Sequence, residues 1–271
     1  MSLDNPPHTR SALTAGPNPS ASRAAIGQYR SVGERFVTDP TVADRTLERL
    51  RRMVITRELP PGTLASESCL ARTVGCGRTP LREALQPLSH EYLVRIRPRQ
   101  GILIPELSII DLQQICEALL YLVIPHTPEL AATRISRSQT DGLVDIVKRA
   151  EQAEFSKDFY ELTQLDWRFH AVIAEATQNR YVSDAGKRLH SSLARFVYAA
   201  YEAADTGNQS TAEHQAIVEA LSSQNPDLTR QRLRDHIIDG RQRLLDILGV
   251  GGLDLASQPC AETEEKAIAM R

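Results

Sequence analysis

The sequence lacks the features that would direct a chain to a membrane or to an oxidising compartment. It has no run of about 18 apolar residues, and its N-terminus lacks the basic-then-apolar pattern of a secretory signal. Its few cysteines form no CxxC pair, which predicts reduced thiols rather than a disulfide framework or a thiolate zinc site. The cysteines are Cys69, Cys76, Cys116 and Cys260. We therefore expect a cytoplasmic protein with no membrane partner.

Aromatic residues are also scarce, at 5% of the chain, and the net charge is only −2. With 41% hydrophobic and 24% charged residues, the 271-residue chain has the composition of one large or two ordinary globular domains. The charge is unevenly divided. Residues 41–106 carry eleven arginines and seven acidic residues, whereas residues 107–271 have a net charge of −7. This asymmetry either arises by chance or indicates a nucleic-acid-binding head on an acidic body.

Composition divides the chain into four segments. Residues 1–40 are rich in Pro, Ser, Ala and Gly, which predicts a disordered tail with at most a short helix near Ile26–Phe36. Residues 41–106 and 107–248 are the two predicted domains. Residues 249–271 are predicted to form a flexible tail.

The stretch Leu64–Leu85 predicts two short helices joined by a tight turn at Gly75–Gly77. Pro80 falls in the first turn of the second helix, where its missing N–H costs little. Arg78 and Arg82 are four residues apart and project from one face. Apolar residues at helical spacing give each helix a buried face: Leu64, Leu70, Ala71 and Val74 in the first, and Leu81, Ala84, Leu85 and Leu88 in the second. This is the layout of a helix-turn-helix that presents arginines to base edges and phosphates.

The flanking segments complete a winged helix-turn-helix of three helices and a β-hairpin. Residues 41–58 are predicted to form the first helix, which Pro60-Pro61-Gly62 ends. Two β-prone runs, Leu93–Arg97 and Gly101–Ile104, predict a basic hairpin with Gly101 at its turn. The tip of such a wing can reach the DNA backbone or the minor groove.

The chain from Val42 to Pro105 resembles the winged-helix domain of GntR-family transcription regulators. The residues that carry the resemblance are Leu59-Pro-Pro-Gly62, Glu67, Leu70-Ala71, Gly75, Arg78-Thr-Pro-Leu-Arg-Glu-Ala-Leu85, Leu93-Val94 and Arg99-Gln-Gly101. The chain departs from the family pattern at Gly77, where Ser is usual, and at Tyr92, where Gly is usual. Pro87 lies inside the third helix, where a proline costs about 3 kcal/mol, so we expect a kink or an early end there.

The resemblance implies sequence-specific binding to double-stranded operator DNA. The major groove would be contacted by Arg78 and Arg82, and a phosphate by Thr79. The wing tip would consist of Arg99, Gln100 and Gly101. An alternative for Arg82 is an ion pair with Glu83 or Glu91. Because operators for such heads are normally palindromic, we also expect a homodimer.

Beyond the wing no further strand pattern occurs, and residues 107–248 predict an all-α bundle of about six or seven helices. The first helix begins at Ser108 and is expected to bury Leu122. A later helix is expected to start at Ser138. Ser210–Glu213 has the pattern of a capping box, and Asn225-Pro226 is expected to cap the last helix.

Four residues of this bundle have the character of a metal site. Asp166 and His170 are four apart on one predicted helix, whereas His214 and His236 lie on the last two helices. Imidazoles with a carboxylate suit Zn²⁺, Ni²⁺ or Mn²⁺. The Asp-x₃-His pair alone is a weak signal, since an isolated helical histidine is more often a satisfied core or surface residue. The two downstream histidines strengthen it.

Residues 109–248 resemble the FCD effector domain, which follows the head in the FadR subfamily of GntR regulators. The matching motifs are Asp166-Trp-Arg-Phe-His170, Ala176-Thr-Gln-Asn179, Glu213-His214-Gln-Ala-Ile217 and Arg234-Asp-His236. The resemblance implies that Asp166, His170, His214 and His236 hold a divalent metal, and that the remaining histidines have no place in the site: His8, His90, His126 and His190. The first helix of this domain usually carries an Arg and then a Glu, where this chain has Leu120 and Ile124.

A divalent ion held by one ionised carboxylate and three neutral imidazoles leaves a net charge of +1, which favours a small carboxylate effector. Arg195 is either a second contact for this acid or a surface residue. The resulting prediction is a regulator, expected to be a repressor, whose DNA affinity a small organic acid controls. The rival is a metal-dependent hydrolase, but no adjacent general base or Ser/His/Asp set occurs in the sequence. A pure interaction module would leave both motifs unexplained.

Overall fold

A computed structural model describes residues 41–205 and 210–250, except for the side chain of Val250. The predicted N-terminal tail with its short helix, and nearly all of the predicted C-terminal tail, lie outside the described residues. All described residues belong to the same compact unit. Their buried apolar side chains form two separate clusters, one in the head and one in the helical bundle.

The head is a winged helix-turn-helix, as predicted. Its elements are α1 (Val42–Ile55), β1 (Leu64–Ala65), α2 (Glu67–Val74), α3 (Arg78–His90), β2 (Arg95–Arg97) and β3 (Gly101–Leu103). Thr41 and Asp44 form a capping box at the start of α1. The three helices and the sheet enclose an apolar core centred on Leu50, Leu70 and Leu81.

The turn of the helix-turn-helix has the predicted glycine chemistry. Gly75 ends α2 in the left-handed conformation, with a φ of 72°. Gly77 is the N-cap of α3 but offers no side-chain hydrogen bond, unlike Ser66, whose hydroxyl caps α2. Leu64 was expected on the buried face of α2, which is wrong. It lies before this cap, in β1, and is 49% exposed.

Of the kink or early end expected at Pro87, the early end does not occur. The third helix continues to His90, and the Pro87 carbonyl accepts a hydrogen bond from the backbone N–H of Glu91 at 3.0 Å. The chain then turns at Tyr92, whose φ of 60° is left-handed. That conformation suits glycine, which agrees with the glycine expected there from the family pattern.

The wing contains a third strand that the sequence pattern did not indicate. In the antiparallel sheet β3 is central, with Ala65 of β1 opposite Ile102 and Ile96 of β2 on the other side of the same residue. Two residues are too short a run to show strand periodicity. Gly101 was expected at the turn of the hairpin, but it is the first residue of β3 and has a φ of 123°. A Cβ atom there would overlap the carbonyl oxygen of Ala65.

The second part of the described chain is the predicted all-α bundle. Its elements are α4 (Ile109–Ala118), a π-helical turn (Leu119–Val123), α5 (Thr127–Arg134), α6 (Arg137–Phe155), α7 (Phe159–Ala176), α8 (Arg180–Ala204), α9 (Ser210–Ser222) and α10 (Pro226–Val250). Within this region no single helix is long and apolar enough to cross a membrane. Only α4 with its π turn, taken together with α5 across a 58° bend, passes such a test by length and composition.

Helix starts agree with the predictions where a local cap determines them. The Asn225 side chain accepts from the backbone N–H of Leu228 at 3.0 Å. The α6 helix begins one residue before the expected Ser138, because Ser136 forms a capping box with Gln139. The expectation that Leu122 points inward is wrong, since it is 69% exposed. The wider π turn rotates the following side chains away from the α-helical register.

Candidate metal centre and nucleic-acid interface

Three helices bring the four candidate ligands together in the bundle. Asp166 and His170 project from α7, His214 from α9 and His236 from α10. One nitrogen or oxygen atom of each lies within 4.8 Å of the others, and the three imidazoles are buried. Folding therefore joins residues that are separated by up to 70 positions in the chain.

The spacing of these atoms fits a single ion. The Nε2 atoms of His170 and His236 are 3.2 Å apart, and Nε2 of His214 is 3.5 Å from Oδ1 of Asp166. Ligand atoms about 2.1 Å from one ion lie roughly 3–4 Å from their neighbours. Nε2 of His214 is fully buried and has no hydrogen-bond partner among the described residues. A buried ring nitrogen without a hydrogen-bond partner is characteristic of a metal ligand.

Burial keeps the imidazoles of His170 and His214 neutral. Desolvation, together with the neighbouring histidines, lowers the pKa of His170 and of His214 well below the usual range. Burial also raises the pKa of the Asp166 carboxyl to about 6. Among the described residues its carboxylate has no cationic ion-pair partner, and the nearest basic group is the neutral imidazole of His214, at 3.5 Å. A carboxylate enclosed in this way would be stabilised by a cation.

Glu213 orients one of the imidazoles, a role that the sequence pattern did not reveal. Nδ1 of His236 lies 2.7 Å from a Glu213 carboxylate oxygen, which leaves Nε2 free to face the centre. Arg243 donates two hydrogen bonds to the same carboxylate, at 2.6 and 2.7 Å. Burial acts against ionisation of Glu213, but the hydrogen bonds from His236 and Arg243 lower its pKa overall. The sequence predicted that Glu213 would complete a capping box with Ser210. Its carboxylate instead binds His236 and Arg243.

His190 was not expected among the metal ligands, and the four-residue ligand group does not include it, but it lies directly against one of the ligands. Its ring stacks on that of His170 with the centroids 3.9 Å apart, and its Nδ1 is buried without a partner among the described residues. Burial, assisted by His236, lowers the pKa of His190 to about 3, so it is neutral. It lies on α8, and no spacing rule relates it to a residue of α7 in the sequence.

A cavity of about 50 Å³ adjoins the cluster. Because a water molecule needs about 10–15 Å³ of such a cavity, this one can hold roughly four water-sized groups. Asp166, His170 and His236 form part of its wall. The other lining residues are Cys116, Leu193, Val197, Tyr201, Ser210, Ile237, Gly240, Arg241, Arg243 and Leu244.

Arg195 does not line this cavity, although it was a candidate effector contact. It is 3% exposed, which also excludes the surface alternative. Its Nη1 donates to the Pro105 carbonyl at 2.7 Å, in the segment between β3 and α4. Burial lowers its pKa to about 10. Leu120 and Ile124 are packed with the apolar core and are likewise absent from the cavity wall.

The candidate DNA contacts lie on two exposed parts of the head. Arg78 and Thr79 are exposed in the first turn of α3, and Arg99 and Gln100 are exposed between β2 and β3. Arg82 is also exposed, and it forms an ion pair with Glu67 of α2 at 2.8 Å, rather than with Glu83 or Glu91. Gly101 has a packing role against β1 as well as its place beside the wing tip.

A head with this architecture, followed by an all-helical bundle, belongs to the class of DNA-binding transcriptional regulators. Comparison with protein families is more specific. Residues 42–104 match the gntR family of bacterial regulatory proteins, and residues 122–239 match the FCD domain. The chain therefore belongs to the GntR family and is a transcriptional regulator that carries an FCD domain.

Individual relatives agree with this assignment. An HTH-type transcriptional regulator from Agrobacterium vitis, in the TAR-I ttuE-ttuC' intergenic region, is 34% identical over 53% of this chain and 74% of its own length. The gluconate operon transcriptional repressor of Bacillus licheniformis is 24% identical over 79% of this chain and 89% of its own. The solved structure of E. coli McbR/YncC has the same fold, with a TM-score of 0.64 at 19% identity over 76% of this chain and 98% of that one. The two sequence relatives are named as transcriptional regulators, so the hydrolase alternative is not supported.

Proposed function

We propose that this regulator holds a divalent ion, Zn²⁺, Ni²⁺ or Mn²⁺, at Asp166, His170, His214 and His236, and that a small organic acid bound beside the ion controls its affinity for operator DNA. The observation that carries the proposal is the convergence of these four ligand atoms within 4.8 Å, with three of the four residues in the wall of a cavity. A four-ligand set of this kind leaves positions in an octahedral shell for an exogenous oxygen ligand.

The charge of the centre favours an anion. With Asp166 ionised and the three imidazoles neutral, the ion and its ligands have a net charge of +1 in a buried place. A carboxylate would neutralise this charge and supply a hard oxygen ligand. The gluconate operon repressor among the relatives is named for a sugar acid, which is consistent with this ligand class.

The head would read DNA through the exposed residues at the start of α3. Arg78 and Arg82 would contact base edges or phosphates, Thr79 a phosphate, and the wing residues Arg99, Gln100 and Gly101 the adjacent backbone or minor groove. We expect a homodimer on a palindromic operator and repression of transcription. Sedimentation that finds only monomer at micromolar concentration, with and without operator DNA, would contradict the dimer.

Bundle and head are joined by contacts through which a ligand could act. Arg195 holds the Pro105 carbonyl directly after the wing, and Ser191 of the same helix holds Glu91 directly after α3. An acid that favours one arrangement of α8 would thereby favour one arrangement of the head. It can shift this equilibrium only by its difference in affinity for the two states.

Metal analysis of the purified chain tests the ligand assignment. The wild type should retain a bound ion, and His170→Ala/His214→Ala should lose it. His126→Ala is the matched control, because His126 is exposed at the start of α5 and away from the cluster. Full metal content in the double variant would refute the assignment.

Fluorescence anisotropy with DNA from upstream of the chain's own gene tests the effector. A panel of organic acids should contain one that changes the affinity of the metal-loaded wild type and has no effect on the double variant. If the double variant loses the metal but still responds to the acid, the metal is not the effector's anchor.

A further inference from the structure

We infer that the ligand beside the metal centre is a small dianionic organic acid, with one carboxylate on the ion and its second anionic group on Arg241. The inference rests on the function proposed above and specifies its ligand class. Arg241 is on α10, five residues after His236, and both side chains line the cavity.

Arg241 is the cationic residue of this wall that has no ion-pair partner among the described residues. Its Nε is buried and has no hydrogen-bond partner, and no carboxylate of the described residues forms an ion pair with its guanidinium. Arg243, the other arginine of the wall, is held by two hydrogen bonds to Glu213. Arg241 therefore keeps its charge and its paired donors for a ligand. A guanidinium binds a carboxylate through two parallel hydrogen bonds.

The remaining polar groups of the wall do not compensate this charge. Burial raises the pKa of the Cys116 thiol to about 11, so the thiol is neutral. The Tyr201 hydroxyl is engaged with Ser210 Oγ at 3.0 Å. Asp166 is the one acidic residue among the lining residues. With a divalent ion bound, the ion, Asp166 and Arg241 together have a net charge of +2.

A dianion neutralises this charge, whereas a monoanion leaves one positive charge at the cavity wall unpaired, which is less favourable. The cavity volume of about 50 Å³ restricts the ligand to a short acid. The apolar part of the wall, which includes Val197, Ile237 and Leu244, suits the methylene groups between two carboxylates. These three properties describe a short-chain diacid.

Calorimetry on the zinc-loaded full-length chain tests this with matched acids. Malonate is compared with propionate, and succinate with butyrate, because each pair differs in one carboxylate. The wild type should bind at least one diacid about tenfold or more tightly than its partner, as expected for a charge-assisted contact. Arg241→Gln should weaken that diacid by about ten- to a hundredfold and leave the monoacid unchanged. Arg241→Lys, which keeps the charge but not the fork, should lose less.

Arg234→Gln is the control, since Arg234 is an exposed arginine of the same helix and should change neither affinity. Circular dichroism and zinc content of each variant verify the fold and the loaded centre. If each diacid binds no more tightly than its matched monoacid, the dianion inference is wrong and the proposed function stands. The same conclusion follows if Arg241→Gln still binds the diacid more tightly than the monoacid. If the zinc-loaded wild type binds none of the four acids, the carboxylate effector itself is contradicted.

Discussion

Glu91 of the head accepts a hydrogen bond from Ser191 Oγ of helix α8 at 3.0 Å, while its carboxylate is also paired with the guanidinium of Arg51. Arg51 is 3% exposed, so one carboxylate both compensates a buried charge in α1 and joins the head to the bundle. Arg57 of the head forms an ion pair with Glu202 of the bundle. Burial acts to lower the pKa of Arg51, but Glu91, together with Glu48 and Tyr160, more than offsets this and the pKa is raised.

Glu91→Gln should lower the free energy of unfolding by about 3 kcal/mol, because removing one partner of a buried pair leaves the other charge uncompensated. Ser191→Ala should cost about 1.5 kcal/mol, since it removes one hydrogen bond to a charged acceptor. Urea unfolding followed by circular dichroism measures both. Glu83→Gln, at an exposed position of α3, is the control. Equal stability of Glu91→Gln and Glu83→Gln would contradict the importance of the pair.

Arg78→Ala should weaken operator binding by about 1–3 kcal/mol, which is roughly five- to 150-fold, if Arg78 makes a bidentate base contact. Arg82→Ala should also weaken binding, although Arg82 must exchange its ion pair with Glu67 for the DNA. Fluorescence anisotropy at moderate salt measures both. Arg137→Ala, an exposed arginine in the first turn of α6, should bind as the wild type does. Unchanged affinity of Arg78→Ala would remove that residue from the interface.

Glu213→Gln should lower the affinity for the metal by about ten- to a hundredfold, because the carboxylate that orients His236 becomes a neutral amide. Competition with a chromophoric chelator measures the affinity. Glu219→Gln changes an exposed glutamate of the same helix and should have no effect. Similar affinities for the two variants would show that Glu213 does not position the ligand.

Two glycines give opposite expectations for substitution by alanine. Gly101→Ala should destabilise the head, because the added Cβ overlaps the Ala65 carbonyl and the φ of 123° is unfavourable for alanine. Gly142→Ala should stabilise α6 by about 0.5–1 kcal/mol, since nothing lies within 4 Å of the new Cβ in the middle of a helix. Thermal unfolding compares them. A stabilised Gly101→Ala variant would contradict the close approach of β1 to β3.

Local features of the sequence were sufficient to predict most elements. The α3 helix begins where Gly77 and Pro80 permit it, and α10 begins at Asn225-Pro226, because a helix start depends on backbone groups within a few residues. The spacing of Asp166 and His170 places them on one face for the same reason. The π turn that exposes Leu122 could not be predicted, since an extra residue in one turn leaves no mark in the apolar pattern.

The sequence by itself therefore determined the winged head, the helical bundle, the exposed Arg78 and the four residues that form the buried cluster. Only the tertiary structure decided their partners. It placed His190 against His170, Glu213 behind His236, Arg195 on the Pro105 carbonyl and Arg241 at the cavity wall. The physical reason is range. Caps and helical periodicity act over three or four residues, whereas the partner of a buried charge is selected by how distant helices pack.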